Sequence, residues 1–182
     1  TPERTTKFAK TAAGRGVKVR VLLDSIGAGY FCPLILYRMR AGGVACARFL
    51  HIWLPWRMPF LNMRNHRKVL VVDGHLAFTG GMNVGAENLA RCVGKRAIRD
   101  THFRITGPVV RVVMDAFACD WTFTTDEMLD EDCWWPKLEA AGDVFARGVR
   151  SGPDADLYKS EMILGAALSL ADGSPDTARD VS

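Results

Sequence analysis

No run of about 18 apolar residues occurs in the 182-residue chain, so no segment reads as a membrane-spanning helix. The first residues, Thr1-Pro2-Glu3-Arg4, are polar and lead into a helical stretch, which excludes a signal peptide there. An initiating Met is also missing, and the expectation is a fragment or a processed chain. No Cys-x-x-Cys pair is present. The five cysteines, Cys32, Cys46, Cys92, Cys119 and Cys133, are odd in number and far apart, which argues against a zinc site. Free thiols in apolar or helical settings suit a reducing compartment, so the chain is expected to face the cytoplasm. Acid is missing too: residues 25–72 hold no Asp or Glu but seven bases, Arg38, Arg40, Arg48, Arg57, Arg64, Arg67 and Lys68.

What is present fits an ordinary globular chain, with 48% hydrophobic residues and enough length for a sizeable core. The net charge of +4 conceals two opposed regions. Residues 1–125 carry 19 Lys and Arg against 7 Asp and Glu, whereas residues 126–182 carry 5 against 13. An acid-free basic stretch attracts an anionic substrate, and on charge alone nucleic acid and anionic lipid both qualify.

Patterning predicts an α/β order. Residues 5–16 read as a helix closed by Gly16, 17–24 as a buried strand, 33–40 as a helix ending at Gly42-Gly43, and 44–50 as the next strand. That βαβ order implies parallel pairing. Residues 51–61 carry Trp53, Trp56 and Phe60 beside Arg57, with two prolines that rule out a regular helix or central strand. Such a loop either enters a lipid interface or packs over the core, and the sequence leaves both open. Residues 98–106 alternate as a further strand. Pro108 then opens a helix to about Thr124, with Val109, Val112, Val113, Ala116, Phe117 and Trp121 as its apolar stripe. Residues 126–152 read as a linker or surface excursion, 157–171 as a helix, and 172–182 as a disordered polar tail.

The chemistry concentrates in residues 65–83. His66 and Lys68 stand two residues apart on an apolar strand and so point the same way, about 7 Å apart. Asp73-Gly74 supplies a hairpin turn, a second short strand follows, and Gly80-Gly81-Met82-Asn83 makes a corner. An imidazole beside an ammonium, with an amide and glycine backbone nearby, can hold a phosphate and attack it. The spacing of His66, Lys68, Asp73, Gly80-Gly81 and Asn83 resembles the signature of the phospholipase D superfamily. Three flanking features narrow the resemblance to bacterial cardiolipin synthases, over roughly residues 10–171. They are Asn62-Met63-Arg64-Asn65, Arg99-Asp100-Thr101-His102 with Ile105-Thr106-Gly107-Pro108, and Ser151-Gly152-Pro153-Asp154.

The resemblance implies an α/β fold with a phospholipase D-like mixed β-sheet flanked by helices. It also implies transfer of a phosphatidyl group between phosphatidylglycerol molecules through a phosphohistidine, with no metal or cofactor. His66 is then the nucleophile, Lys68 and Asn83 hold the non-bridging oxygens, and Arg64, Asn65, Gly80 and Gly81 line the substrate. A carboxylate is needed to fix the tautomer of His66, and Asp100 lies at about the separation at which superfamily members place it. Asp73 holds the motif's aspartate position but the opposite strand parity from His66, where an Asx-type turn former also fits. His75 and His102 read as structural or peripheral.

Members of this kind pair two such motifs across a pseudo-twofold axis, and this chain shows one. The implied organisation is a first phospholipase D-like domain over residues 1–150 and the start of a second over 151–182. A further catalytic half in cis, or a homodimer partner, completes the site. The expected partners are phosphatidylglycerol and the cytoplasmic face of the bacterial inner membrane, with nucleic acid disfavoured. Two other readings stay open: a dimeric single-motif phosphodiesterase or nuclease, and an inactive remnant that binds anionic lipid.

Overall fold

The computed structural model describes residues 2–24, 34–49, 67–81, 100–149 and 159–170. The aromatic segment 51–61 lies outside them. The chain divides into two units, Thr1–Ala146 and Arg147–Ser182.

The first unit opens with α1 (Pro2–Gly14), β1 (Arg20–Asp24), α2 (Leu34–Arg40) and β2 (Ala45–Phe49). β1 and β2 pair in parallel, from Arg20 opposite Ala45 to Asp24 opposite Phe49, the pairing expected of a βαβ unit. The strand begins three residues later than its hydrophobic pattern. The backbone N–H of Val17 donates to the Ala12 carbonyl at 3.1 Å to close α1, so it is spent on the helix end rather than on a ladder. Leu36 and Met39 of α2, with Val44 and Cys46, form a buried core against which Ala9, Ala13, Val21 and Leu23 pack. Small alanines on α1 let that helix approach closely. Burial pushes the Cys46 thiol up from its ordinary pKa, the opposite of a reactive cysteine.

β3 (Val69–Val72), β4 (Leu76–Gly80) and β5 (His102–Thr106) form an antiparallel sheet in that order, followed by α3 (Val109–Thr125). A second core joins this sheet to the first. Met114 and Trp121 of α3 are buried with Ala47 of β2 and Leu129, while Leu22, Val71 and Phe117 pack around them. The architecture is therefore α/β with both parallel and antiparallel pairing, as expected. Among the described residues the two strand groups are bridged by α3 rather than hydrogen-bonded to one another.

Two expectations are corrected. The core face of α3 is wider than the expected stripe: Trp121 is buried and Phe117 packs on the second core as expected, Val109, Val112, Val113 and Ala116 are half-buried, and Val110 and Met114 are buried in addition. The helix is apolar on neighbouring stripes, so periodicity alone left the width of that face open. The second correction concerns residues 126–136, which are not a surface excursion. Leu129 is buried, and Trp134 and Trp135 pack on the second core. Pro136 lies against the hairpin turn, where a β-carbon on Gly74 would sit 2.3 Å from its Cδ.

Charge anchors this strap as well. Both carboxylate oxygens of Glu127 accept from Arg20, at 2.5–3.0 Å, and Oε2 also accepts from the Trp121 indole N–H at 2.8 Å. The Arg20 guanidinium lies 5.9 Å from the Trp121 ring centre and 5.7 Å from that of Trp134. Hydrogen bonding from Arg20 holds the Glu127 carboxyl below its ordinary pKa. A carboxylate depressed in the folded state contributes stability above its unfolded pKa and loses it as pH falls through the folded value. Glu127→Gln is therefore expected to lower the melting temperature most at pH 7, with the gap to wild type closing toward pH 3. Melting curves across that range check this, and a gap independent of pH would remove the linkage.

The second unit contains α4 (Lys159–Leu170), within the helix expected over 157–171. Its Met162, Ile163, Leu168 and Leu170 are exposed. Among the described residues no helix is long and apolar enough to cross a membrane.

Candidate active site

The antiparallel register places Lys68, Gly80, Gly81 and Asp100 toward one end of the β3-β4-β5 sheet. Val69 pairs with Thr79, and Lys68 immediately precedes β3 at the end where Gly80 closes β4. Gly80 in turn pairs with His102, and Asp100 and Thr101 lead into β5 at that same end. Lys68 is half-buried, whereas Asp100 is exposed.

Close approach of β5 explains the double glycine. A β-carbon on Gly80 (φ 156°) would lie 2.3 Å from the Thr101 carbonyl oxygen and 2.8 Å from the Cα and Nδ1 of His102. A β-carbon on Gly81 would lie 2.3 and 2.5 Å from the two carboxylate oxygens of Asp100. Any larger residue would displace either backbone or that carboxylate. The Gly81 N–H donates to the Thr101 carbonyl at 3.2 Å, and Asp100 Oδ1 accepts the Thr101 N–H at 2.8 Å, which fixes the corner from both sides. Asp100 is thus seated on the glycine corner, at the end of the sheet where Lys68 precedes β3.

Strand parity sorts the faces. Val71 packs on the second core and Ala77 opposite it is buried, while Leu70 and Val72 are exposed. Arg67 shares the odd parity of Val71, and its guanidinium reaches α3, with Nη1 2.5 Å from Asp120 Oδ2. Lys68 has the other parity and turns to the opposite side, as Leu70 does. The Arg67–Asp120 pair, unforeseen in the sequence because 53 positions separate its members, pins the strand on which Lys68 stands.

Asp73 and Gly74 stand at the far end of the hairpin, with φ of 50° and 66°, and the His75 N–H donates to the Val72 carbonyl at 3.1 Å. Positive φ at both central residues is what a type I′ turn uses, and Asp tolerates it better than most residues. Five residues of chain at strand rise separate Asp73 from Lys68, roughly 16 Å. The structure therefore groups Lys68, Gly80, Gly81 and Asp100, and does not bring Asp73 to them. His66, Arg64, Asn65 and Asn83 lie outside the described residues. His102 stands opposite Gly80, exposed, at the Lys68 end of the sheet. The alternation of residues 98–106 gives its parity, but only the β4–β5 register reveals that neighbour. Among the described residues no three His, Cys, Asp or Glu side chains gather as a metal site would need.

Comparison with known proteins is consistent with this geometry. The family model described as "Cardiolipin synthase, PLD-like domain" matches residues 2–121. The probable cardiolipin synthase YwiE of Bacillus subtilis (strain 168) is 34% identical over 169 residues, which is 90% of this chain and 34% of that protein. The cardiolipin synthase of Geobacillus kaustophilus (strain HTA426) is 37% identical over 146 residues, 78% of this chain and 29% of that protein. That of Alkalihalophilus pseudofirmus is 35% identical over 144 residues, again 78% and 29%. The chain thus spans about a third of the length of the curated relatives it matches. With two-thirds of its length inside the family match and the glycine corner seated on Asp100, the chain belongs to the family of cardiolipin synthase phospholipase D-like domains.

Proposed function

We propose that this chain supplies one catalytic half of a phosphatidyltransferase that makes cardiolipin and glycerol from two phosphatidylglycerol molecules. The observation that carries the reading is the placing of Lys68, Gly80, Gly81 and Asp100 at one end of a single sheet, with His66 two residues before Lys68 in sequence. A neutral His66 imidazole attacks the phosphorus of the first phosphatidylglycerol. The P–N bond forms as the P–O bond to the head-group glycerol breaks, and the leaving alkoxide takes a proton from a general acid. Lys68 supplies counter-charge and the Asn83 amide N–H donates to the non-bridging oxygens, whose charge they stabilise more in the transition state than before it. Asp100 accepts from the other ring nitrogen of His66 and holds the attacking one free. A hydroxyl of the second phosphatidylglycerol then displaces the histidine, giving its proton to the same acid–base group.

That group is a histidine of a second motif, from a further half of the protein or from a second copy. The 182-residue chain is accordingly expected to turn over phosphatidylglycerol weakly as a monomer, and strongly once a complementary half is added. The check is cardiolipin and glycerol release from phosphatidylglycerol vesicles, with and without chelator, in samples sized by light scattering. Robust turnover by a proven monomer would overturn the half-site. Turnover abolished by chelator would overturn the metal-free mechanism.

A further inference from the structure

α1 and α2 rest on one core, through Ala9 and Ala13 on the first and the buried Leu36 and Met39 on the second. Their other sides therefore face solvent, and helical spacing sorts what those sides carry. On α2, Leu34 and Tyr37 are 61% and 60% exposed, with the exposed Arg38 beside them. On α1, Phe8 is 65% exposed, flanked by the exposed Arg4 and Lys7. Between the helices runs a groove of about 560 Å³ with Thr6, Lys7, Lys10 and Thr11 on one wall and Leu34 and Arg38 on the other. The sole acid in either helix is Glu3, which faces Arg38 at 4.0 Å.

We propose that this α1–α2 face docks on an anionic phospholipid bilayer. Three large apolar side chains standing in solvent among cations cost hydration free energy unless something covers them. The cover must be apolar within and anionic at its rim. A bilayer rich in anionic head groups is both: Phe8, Leu34 and Tyr37 enter the acyl boundary while Arg4, Lys7, Lys10 and Arg38 meet the phosphates, their stems lying along the interface. Nucleic acid would satisfy the cations and leave Leu34 and Phe8 without a partner. The face rests on the proposed function only in that the substrate is a membrane lipid, and it lies on different elements from Lys68 and Asp100.

The test is vesicle co-sedimentation of the full 182-residue chain, using phosphatidylcholine vesicles with and without phosphatidylglycerol, at low and high salt. Wild type should bind the anionic vesicles, and salt should weaken that binding. Arg4→Glu/Lys7→Glu/Arg38→Glu should weaken it by about 100-fold or more, at roughly a tenfold-scale loss per reversed cation. Phe8→Ser/Leu34→Ser/Tyr37→Ser should weaken it by about tenfold or more. Melting curves confirm folding, and the corresponding Gln variants replace any Glu variant that fails to fold. Lys137→Ala, an exposed cation on neither helix, should bind vesicles as wild type does. The proposal is overturned if wild type does not bind, if it binds neutral vesicles equally, or if these variants bind unchanged. It is likewise overturned if binding is lost only with Trp53→Ser/Trp56→Ser/Phe60→Ser, or if a DNA duplex competes more tightly for the same residues. Vesicle binding that follows the expected pattern without any transferase activity would leave this surface standing and remove the proposed reaction.

Discussion

In a sample that turns over phosphatidylglycerol, Lys68→Ala is expected to lower kcat by about 10²–10³-fold, and His66→Ala to reduce it to background. The two losses differ in kind. In the proposed mechanism Lys68 contributes counter-charge from a half-buried position just before β3, where an ammonium is screened less than on an open surface. Its removal leaves the nucleophile in place. In the proposed mechanism His66 provides the bond to phosphorus, so its removal takes away the nucleophile itself. Melting temperatures should hardly change for Lys68→Ala, since the strand is held separately by Arg67 and Asp120 on the other face. Carboxylate variants sharpen the assignment. Asp100→Asn should slow turnover strongly by releasing the histidine tautomer, in the manner of the aspartate in hydrolytic triads. Asp73→Asn, roughly 16 Å away at the hairpin turn, should act chiefly on stability. Equal rate losses from the two would contradict the geometry, and a fully active His66→Ala would sink the mechanism.

The parts of this fold legible in the sequence are those written in local patterns. The βαβ unit follows from an alternating run, a helix and a second apolar run, and β1 and β2 do pair in parallel. The Asp73-Gly74 turn follows from residues that tolerate positive φ, and both show it. The spacing from His66 to Asn83 carries the family resemblance by itself. Other features depend on register and long-range packing, which no local window contains. The seating of Asp100 on Gly81 depends on how β5 aligns with β4. The burial of Met114 of α3 against Ala47 and Leu129 depends on segments far away in the chain, which the helix's own periodicity does not contain. The strap 126–136 was misread because its composition is acidic and rich in turn formers. Three of its side chains, Glu127, Leu129 and Trp134, are nonetheless used to close the second core and cover Arg20.

Trp121→Ala is expected to destabilise the chain by about 3–5 kcal/mol, the largest effect of any single truncation outside the site. The indole is 2% exposed and packs beside Phe117, with ring centres 6.0 Å apart. It sits among Ala47, Met114 and Leu129, so its loss opens a cavity bounded by β2, α3 and the strap at once. The Arg20–Glu127 pair also loses its indole N–H donor and one of its two aromatic neighbours. Trp121→Phe keeps most of the volume and removes the donor, so about 1–2 kcal/mol should go. For a chain of this length each kcal/mol moves the melting temperature by about 2–4 °C, which separates the two variants in a thermal scan. The effect reaches the site through the neighbouring residue. Asp120 holds Arg67 from the same turn of α3, so loosening that turn slackens the strand carrying Lys68. Turnover by Trp121→Ala should therefore fall with temperature earlier than its global melting, whereas Trp121→Phe should track its own melt. A Trp121→Ala variant that melts within a few degrees of wild type would mean the strap does not depend on this core, and that α3 is fixed by its contacts with β3–β5 alone.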